Sequence, residues 1–463
     1  MTSKDKFEQK ISKSQNAILE NSFTRRLTSS RLIQGLCRGK RICQANPFPF
    51  QIFLIMVYRF SLDFLYLWLI SPLFTYADFT ANLLPLNYAC SVMTVFFFSP
   101  FVAKINEEKT ASSIIVTLLN YLYFIPLTSY CGCKGVSVSF LLIFILYWAI
   151  LLFLQCKVPV LVAKPAHTKH MGKIFPVLTI FSTLFVIFIS WKYTGFRIII
   201  DLFNVYDIRA EAAQYQLPTI ATYLLSAMDI VLPILLLYCL KKRKYLIAVF
   251  LCFVLLLLFS IGGNKSIFFL FLASLACYFL FKPWMLRWIS GLLSVFVGAA
   301  ALEYKFVGTY YLMTLFFRRM MYIPAQLSEK YAIFFQENPL NLFRDGFMGR
   351  LSFDNIYSTN IPYIIGEFEG YPQSSANTGM LGDLFANLPV ALGLFLIPLI
   401  LILCFRLLDM TSQRTELKLL LPICLYSATT FVNASWSVAL LSHGFLLACI
   451  LMYFFPKEKE RSI

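Results

Sequence analysis

Cations and carboxylates that can do chemistry fall in four short stretches of this chain, each at a break between apolar runs. The first, "FNVYDIRAEAAQ", sets Tyr206, Asp207, Arg209 and Glu211 in the segment 194–218. Arg209 reads either as part of a solvated, charge-balanced turn or as an anion clamp, because a planar guanidinium engages two phosphate oxygens at once. The second, "SIGGNKSIFF", turns at Gly262-Gly263-Asn264 between two apolar helices, and Lys265 and Ser266 open the next one. A Walker loop needs glycine directly before the lysine and another five residues earlier, and neither is present. A helix N-terminus carrying Lys265 still makes a phosphate-binding corner; the alternative is a lysine snorkelling from a helix end. The third, "TLFFRRMMYIPAQLSEKYAIFFQENP", alternates apolar and charged residues at helical spacing, which predicts a helix along a membrane–water boundary, bent or ended at Pro324. Arg318 and Arg319 there are headgroup anchors or contacts for a diphosphate. The fourth, "IGEFEGYPQSSANTGMLGDLFANLPVALG", lets Asn377 or Thr378 cap a helix starting near Gly379, with Asp383 one turn inside. Asp383 is held by that helix start, or it is a general base for a hydroxyl, with Glu367 and Glu369 as rivals. Within the apolar runs, Arg59 and Asp63 are four apart and should pair, whereas Asp229 and His443 stand isolated. His443 is either a packed, hydrogen-bonded group or a residue lining an active cavity.

The elements that must position these residues are hydrophobic. Of 463 residues, 59% are hydrophobic and 14% charged, with a mean hydropathy of +0.72. Soluble domains carry about 25% charged residues. Apolar runs lie at about 50–74, 83–103, 110–130, 137–156, 174–193, 219–240, 245–262, 266–282, 286–303, 380–405, 418–433 and 437–455. At 1.5 Å per residue such runs approach the ~30 Å of a hydrocarbon layer. The sequence therefore predicts an all-α polytopic membrane protein of about 12 transmembrane helices, those in 245–303 being short. A polar block, 304–378, interrupts the runs once and reads as one large loop domain. The expected organisation is a basic segment 1–48, spans one to nine over 49–303 with the loop 194–218, the block 304–378, and three spans with the tail over 379–463. The first 48 residues lack the apolar core of a cleavable signal.

The net charge is +17. With the N-terminus in the cytoplasm, 28 of the 40 Lys and Arg face inward, including the run Lys241-Lys242-Arg243-Lys244. Both termini are therefore expected in the cytoplasm and the block 304–378 outside. The charge is assigned to this topology and to anionic headgroups, not to nucleic acid. The 12 cysteines lie mostly within spans, as small apolar residues. Cys131 and Cys133, expected in an outer loop, have no second pair to complete a metal site. His167, His170 and His443 are the only histidines, which excludes a histidine-rich metal centre. One insert without two matching halves argues for chemistry at one membrane face and against a carrier.

The runs "VYDIRAE", "GGNKS", "FFRRMMYIPAQLSEKYAIFFQENP" and "ANTGMLGDLFANLPVALG" occur in that order and together resemble the bacterial O-antigen polymerases, the Wzy-type oligosaccharide repeat-unit polymerases. The resemblance covers about Asp201 to Leu394. It implies polymerisation of undecaprenyl-diphosphate-linked repeat units at the periplasmic face of the inner membrane, a GT-C-like fold, and no metal or nucleotide sugar, hence no cofactor. It also implies a chain-length regulator in the same membrane as a partner. Some members carry Arg followed eleven positions later by Gly in two outer loops; here Ile220 follows Arg209 and Lys330 follows Arg319. Only Arg209, Lys265, Arg319 and Asn377 therefore carry over, by landmark. In that reading Arg209, Lys265 and Arg319 stabilise the departing diphosphate and Asp383 activates the acceptor hydroxyl. Arg318, Asn377, Tyr206 and His443 would contact substrate. A ligase using the same lipid carrier is the second reading. A lipid-linked oligosaccharide flippase is the third, and it should show internal symmetry. The polymerase reading requires the cations to share one hollow.

Overall fold

The computed structural model describes residues 47–160, 171–199, 205–212, 214–345, 356–372 and 374–456. The basic segment 1–46, His167, His170 and the final basic tail lie outside them. Among the described residues every regular element is helical. In chain order these are α1 Phe48–Leu73, α2 Pro85–Glu108, α3 Ala111–Lys134, α4 Val138–Lys157, α5 Lys173–Thr194, α6 Val205–Ala212, α7 Thr219–Lys241, α8 Tyr245–Gly262, α9 Lys265–Leu280 and α10 Pro283–Val307. There follow α11, whose π-wound stretch Met313–Tyr322 continues as Ile323–Glu337, then α12 Ile361–Phe368, α13 Leu381–Asn387, α14 Val390–Ser412, α15 Leu417–Asn433, α16 Trp436–Leu440 and α17 Phe445–Phe454. Ten helices are long and apolar enough to cross a membrane, with α16 and α17 counted together as Trp436–Phe454. The chain is thus an all-α, multi-pass membrane protein.

Two of the twelve expected spans are shorter apolar helices, α9 of 16 residues and α15 of 17. They rise only about 24 and 26 Å. Both stop short at the same end of the bundle, where Lys265 and Asn433 line a cavity. The expected span 380–405 is also corrected. Leu388 is extended before Pro389, because a proline's ring excludes the helical conformation from the residue it follows. The short α13 is thereby separated from the span α14, which begins at Val390 and continues to Ser412. The last expected span breaks at 441–444, where Gly444 takes φ 73°.

The window of α3 that could cross a membrane is wholly buried, so α3 runs through the centre of the bundle. Thr110 caps its start by accepting the Ser113 N–H at 3.2 Å, and Gly135, at φ 72°, ends it. Cys131 and Cys133 sit in this helix, buried, rather than in an outer loop. Around α3 the interior charges are paired. Arg59 pairs with Asp63 as the sequence spacing implied, and donates to Ser91 at 2.9 Å and to the Thr128 carbonyl at 3.2 Å. Asp63 also accepts from Ser129 at 2.6 Å and Tyr88 at 3.0 Å. Arg59→Ala strands a buried carboxylate, so a loss of about 3–5 kcal/mol is expected, read as lower membrane yield and a lower melting temperature. Arg406, one position beyond the expected span 380–405, is buried at the far end of α14. There it pairs with Asp409 at 2.9 Å and donates to Ser112 at 2.8 Å.

Helix α11 departs from the expected surface position. Met313, Phe317, Met321 and Tyr322 are buried, as are eight residues from Pro324 to Ala332. The Tyr322 hydroxyl donates to the Leu62 carbonyl at 2.9 Å, fastening α11 to α1 inside the bundle. Pro324 does not end this helix. It sits at the change from π to α winding, where the regular i→i−4 ladder is already interrupted.

Candidate functional site

A cavity of about 940 Å³ opens at the end of the bundle where α9 starts and α15 stops. Its wall brings together Lys265, Arg318, Arg319, Asn377, Asp383 and His443. Six of the eight residues singled out from sequence therefore share one hollow. The other two, Tyr206 and Arg209, fall in α6, but their side chains lie outside the described residues. The run Lys241–Lys244 follows the opposite end of α7. The Tyr278 hydroxyl, near the end of α9, donates to the Leu240 carbonyl there at 2.8 Å.

Lys265 enters the cavity through the turn between α8 and α9. Gly263 takes φ 62°, a left-handed conformation that glycine adopts without strain, and its N–H reaches the Phe259 carbonyl at 2.8 Å. Arg318 and Arg319 come from the π-wound part of α11, a winding common at functional sites. The Arg318 guanidinium lies 4.2 Å from the Phe74 ring centroid, while Arg319 is exposed in the cavity. Three cations thus line the cavity, together with the carboxyl groups of Asp345, Glu369 and Asp383.

The part of the lining that carries Asn377 and Asp383 is folded back onto α15. Gly379 donates to the Val432 carbonyl at 2.9 Å, and a Cβ there would sit 2.2 Å from the Phe431 and Ala434 carbonyl oxygens, so only glycine permits the approach. Neither Asn377 nor Thr378 caps α13 as expected. Asn377 is exposed in the cavity, Thr378 faces the Val432 carbonyl at 3.4 Å, and Met380 precedes α13 at φ 49°. Asp383 is 3% exposed, and its Oδ2 accepts the Trp436 N–H at 2.8 Å. Burial pushes this carboxyl up to about 7, with the Ser435 hydroxyl and the Trp436 N–H pulling against it. The carboxylate thus anchors the start of α16 and remains positioned to take a proton near neutral pH.

Ion pairs tie the segments after α1 and α12 to α3 and α11. Lys330 bridges Asp78 at 2.8 Å and Glu369 at 3.0 Å, and Lys134 bridges Asp78 and Glu329, each at 2.9 Å. Burial disfavours the Lys330 charge, yet the contacts to Asp78 and Glu369 outweigh it and hold the ammonium above the usual lysine range. Glu369, a rival base, lines the cavity but is committed to Lys330. Two contributors escaped the sequence reading. Asp345 lines the cavity and fastens the start of α12 by accepting from Asn341 at 2.7 Å and the Ile361 N–H at 3.0 Å. Asn433 reaches the wall from the end of α15, and its signal was the polar "NAS" that cuts two apolar runs. Among the described residues, no three His, Cys, Asp or Glu gather closely enough to hold a metal ion. No family model, curated protein or solved structure matches this chain.

Proposed function

We propose that the chain is a bacterial inner-membrane glycosyltransferase that joins undecaprenyl-diphosphate-linked oligosaccharide repeat units into an O-antigen or related surface polysaccharide. The observation that carries this reading is the meeting of Lys265, Arg318, Arg319 and Asp383 on one cavity at one end of a hydrophobic bundle. Such a cavity suits a substrate with a diphosphate, sugars and a lipid tail. The donor glycan is bound through its reducing end to the carrier, and the acceptor presents a hydroxyl. As the anomeric carbon–oxygen bond breaks, negative charge grows on the diphosphate and the fixed cations stabilise it more than they stabilise the ground state. The acceptor oxygen forms the new bond and its proton passes to Asp383. The placement of Lys and Arg favours a periplasmic cavity with both termini in the cytoplasm. A GT-C-like architecture and a chain-length regulator belong to the same proposal.

The test is elongation of purified lipid-linked repeat unit by the purified protein, with no nucleotide sugar or metal added. A ladder of products and release of undecaprenyl diphosphate are expected. No ladder from folded, lipid-embedded protein refutes the proposal. In cells, loss of the protein should leave single-repeat glycans; accumulation of undecaprenyl-linked polymer would indicate a ligase, and repeat units trapped inside would indicate a flippase.

A further inference from the structure

We infer that Asp229, a carboxylate within the span α7, is a positioning residue for the Lys265 corner: it holds the Asn264 side chain away from the start of α9, so that this start and Lys265 both serve an anionic diphosphate ligand. The inference rests on the proposed diphosphate site. It begins with an asparagine that does not perform its ordinary task. Asn264 occupies the N-cap position of α9 with extended backbone angles, φ −80° and ψ 98°. At that position asparagine is among the strongest cappers, its side-chain oxygen accepting an N–H from two or three residues ahead. Here it makes no capping bond, and its Nδ2 instead donates to Asp229 Oδ2 at 3.1 Å. The amide thus presents its nitrogen to Asp229 rather than its oxygen to the start of α9.

A carboxylate inside an apolar helix is costly and calls for a reason. Asp229 precedes an unbroken buried run, Ile230 to Leu240, and its hydrogen-bond partner among the described residues is Asn264. The surroundings place this pair directly behind the cavity wall. Asn264, Lys265, Tyr426 and His443 line the cavity, and the Tyr426 hydroxyl donates to the His443 carbonyl at 3.0 Å. A Cβ on Gly444 would meet Ile230 Cγ2 at 2.8 Å, so the 441–444 turn is seated against α7 beside Asp229. Helices α7, α9 and α15 thus meet at this point. Releasing Asn264 would let its oxygen cap α9, placing a partial negative charge where the diphosphate is to bind and occupying an amide the ligand would use.

The double replacement tests this. Asp229→Leu suits the span better than aspartate, so membrane insertion is not put at risk. With undecaprenyl diphosphate as probe and undecaprenol as the uncharged control, Asp229→Leu should weaken diphosphate binding about fivefold to tenfold. In elongation assays the same variant should raise KM while kcat changes less. Adding Asn264→Gly removes the competing cap and should restore binding to within about twofold of wild type. Asn264→Gly alone should match the double variant, since Asp229 then has no side chain to hold. The inference is overturned if Asp229→Leu binds normally, if the double variant is no better than Asp229→Leu, or if the double variant binds more weakly than Asn264→Gly alone. Wild-type protein that binds the diphosphate no better than undecaprenol would instead overturn the diphosphate site itself.

Discussion

An Arg319→Ala variant should reach the membrane at the wild-type level and extend glycan chains at least about a hundredfold more slowly. The reason lies in how α11 is divided. Phe317, Met321 and Tyr322 are its buried anchors, and the Tyr322 hydroxyl is fixed to α1. Arg319 points the other way, exposed on the cavity wall, so truncating it removes a guanidinium without opening the core. Removing one preorganised donor to a developing anion costs ~3 kcal/mol of transition-state stabilisation, which is the hundredfold expected. Arg319→Lys keeps the charge but loses the two-pronged geometry, and should recover part of the rate. Arg318→Ala is a less clean probe, because that guanidinium also packs on Phe74. Arg209→Ala carries the same expectation as Arg319→Ala on sequence grounds. The measurement pairs elongation rate and ladder length with immunoblots of the membrane fraction; normal ladders from Arg319→Ala would remove Arg319 from the reaction.

The membrane class was legible because a crossing helix must be long and apolar, and ten helices keep that signature end to end. The same rule misplaced the elements that build the cavity. Asp383 was read as one turn inside a span because "LGDLFANLPVALG" is nearly all apolar, yet Pro389 divides it into α13 and α14. Helix α11 was assigned to a membrane surface because charges and apolar residues alternate along it. Two of its charges are instead spent on partners remote in sequence, Glu329 with Lys134 and Lys330 with Asp78 and Glu369, while Arg318 and Arg319 line the cavity. Long-range pairing of this kind leaves no local periodicity. The candidate cations and Asp383 were legible by residue type, since polar groups beside hydrophobic runs are scarce. What could not be read was their company: Asp229 seemed isolated because Asn264 is 35 positions away.

Asp383→Asn should cut elongation by about a hundredfold or more and leave the fold intact, since an amide oxygen can still accept the Trp436 N–H. The wild-type rate should fall as pH drops through about 7, where burial places this carboxyl, with the slope expected for one essential base. The variant's residual rate should lose that dependence. Stability should move the opposite way. An ordinary aspartate titrates near ~3.9. Between that value and about 7, the folded protein keeps a proton that the unfolded chain has released. The group's contribution to stability is therefore full at low pH and is lost as pH rises through about 7. The asparagine variant cannot lose it, so its melting temperature relative to wild type should climb between pH 5 and pH 8 while its activity stays low. A merely structural Asp383 would give the same stability profile, because burial sets it in either case, but its asparagine variant would keep the wild-type shape of the pH–rate curve. The slope of the rate profile therefore separates the two readings, while the melting curves report the raised carboxyl itself.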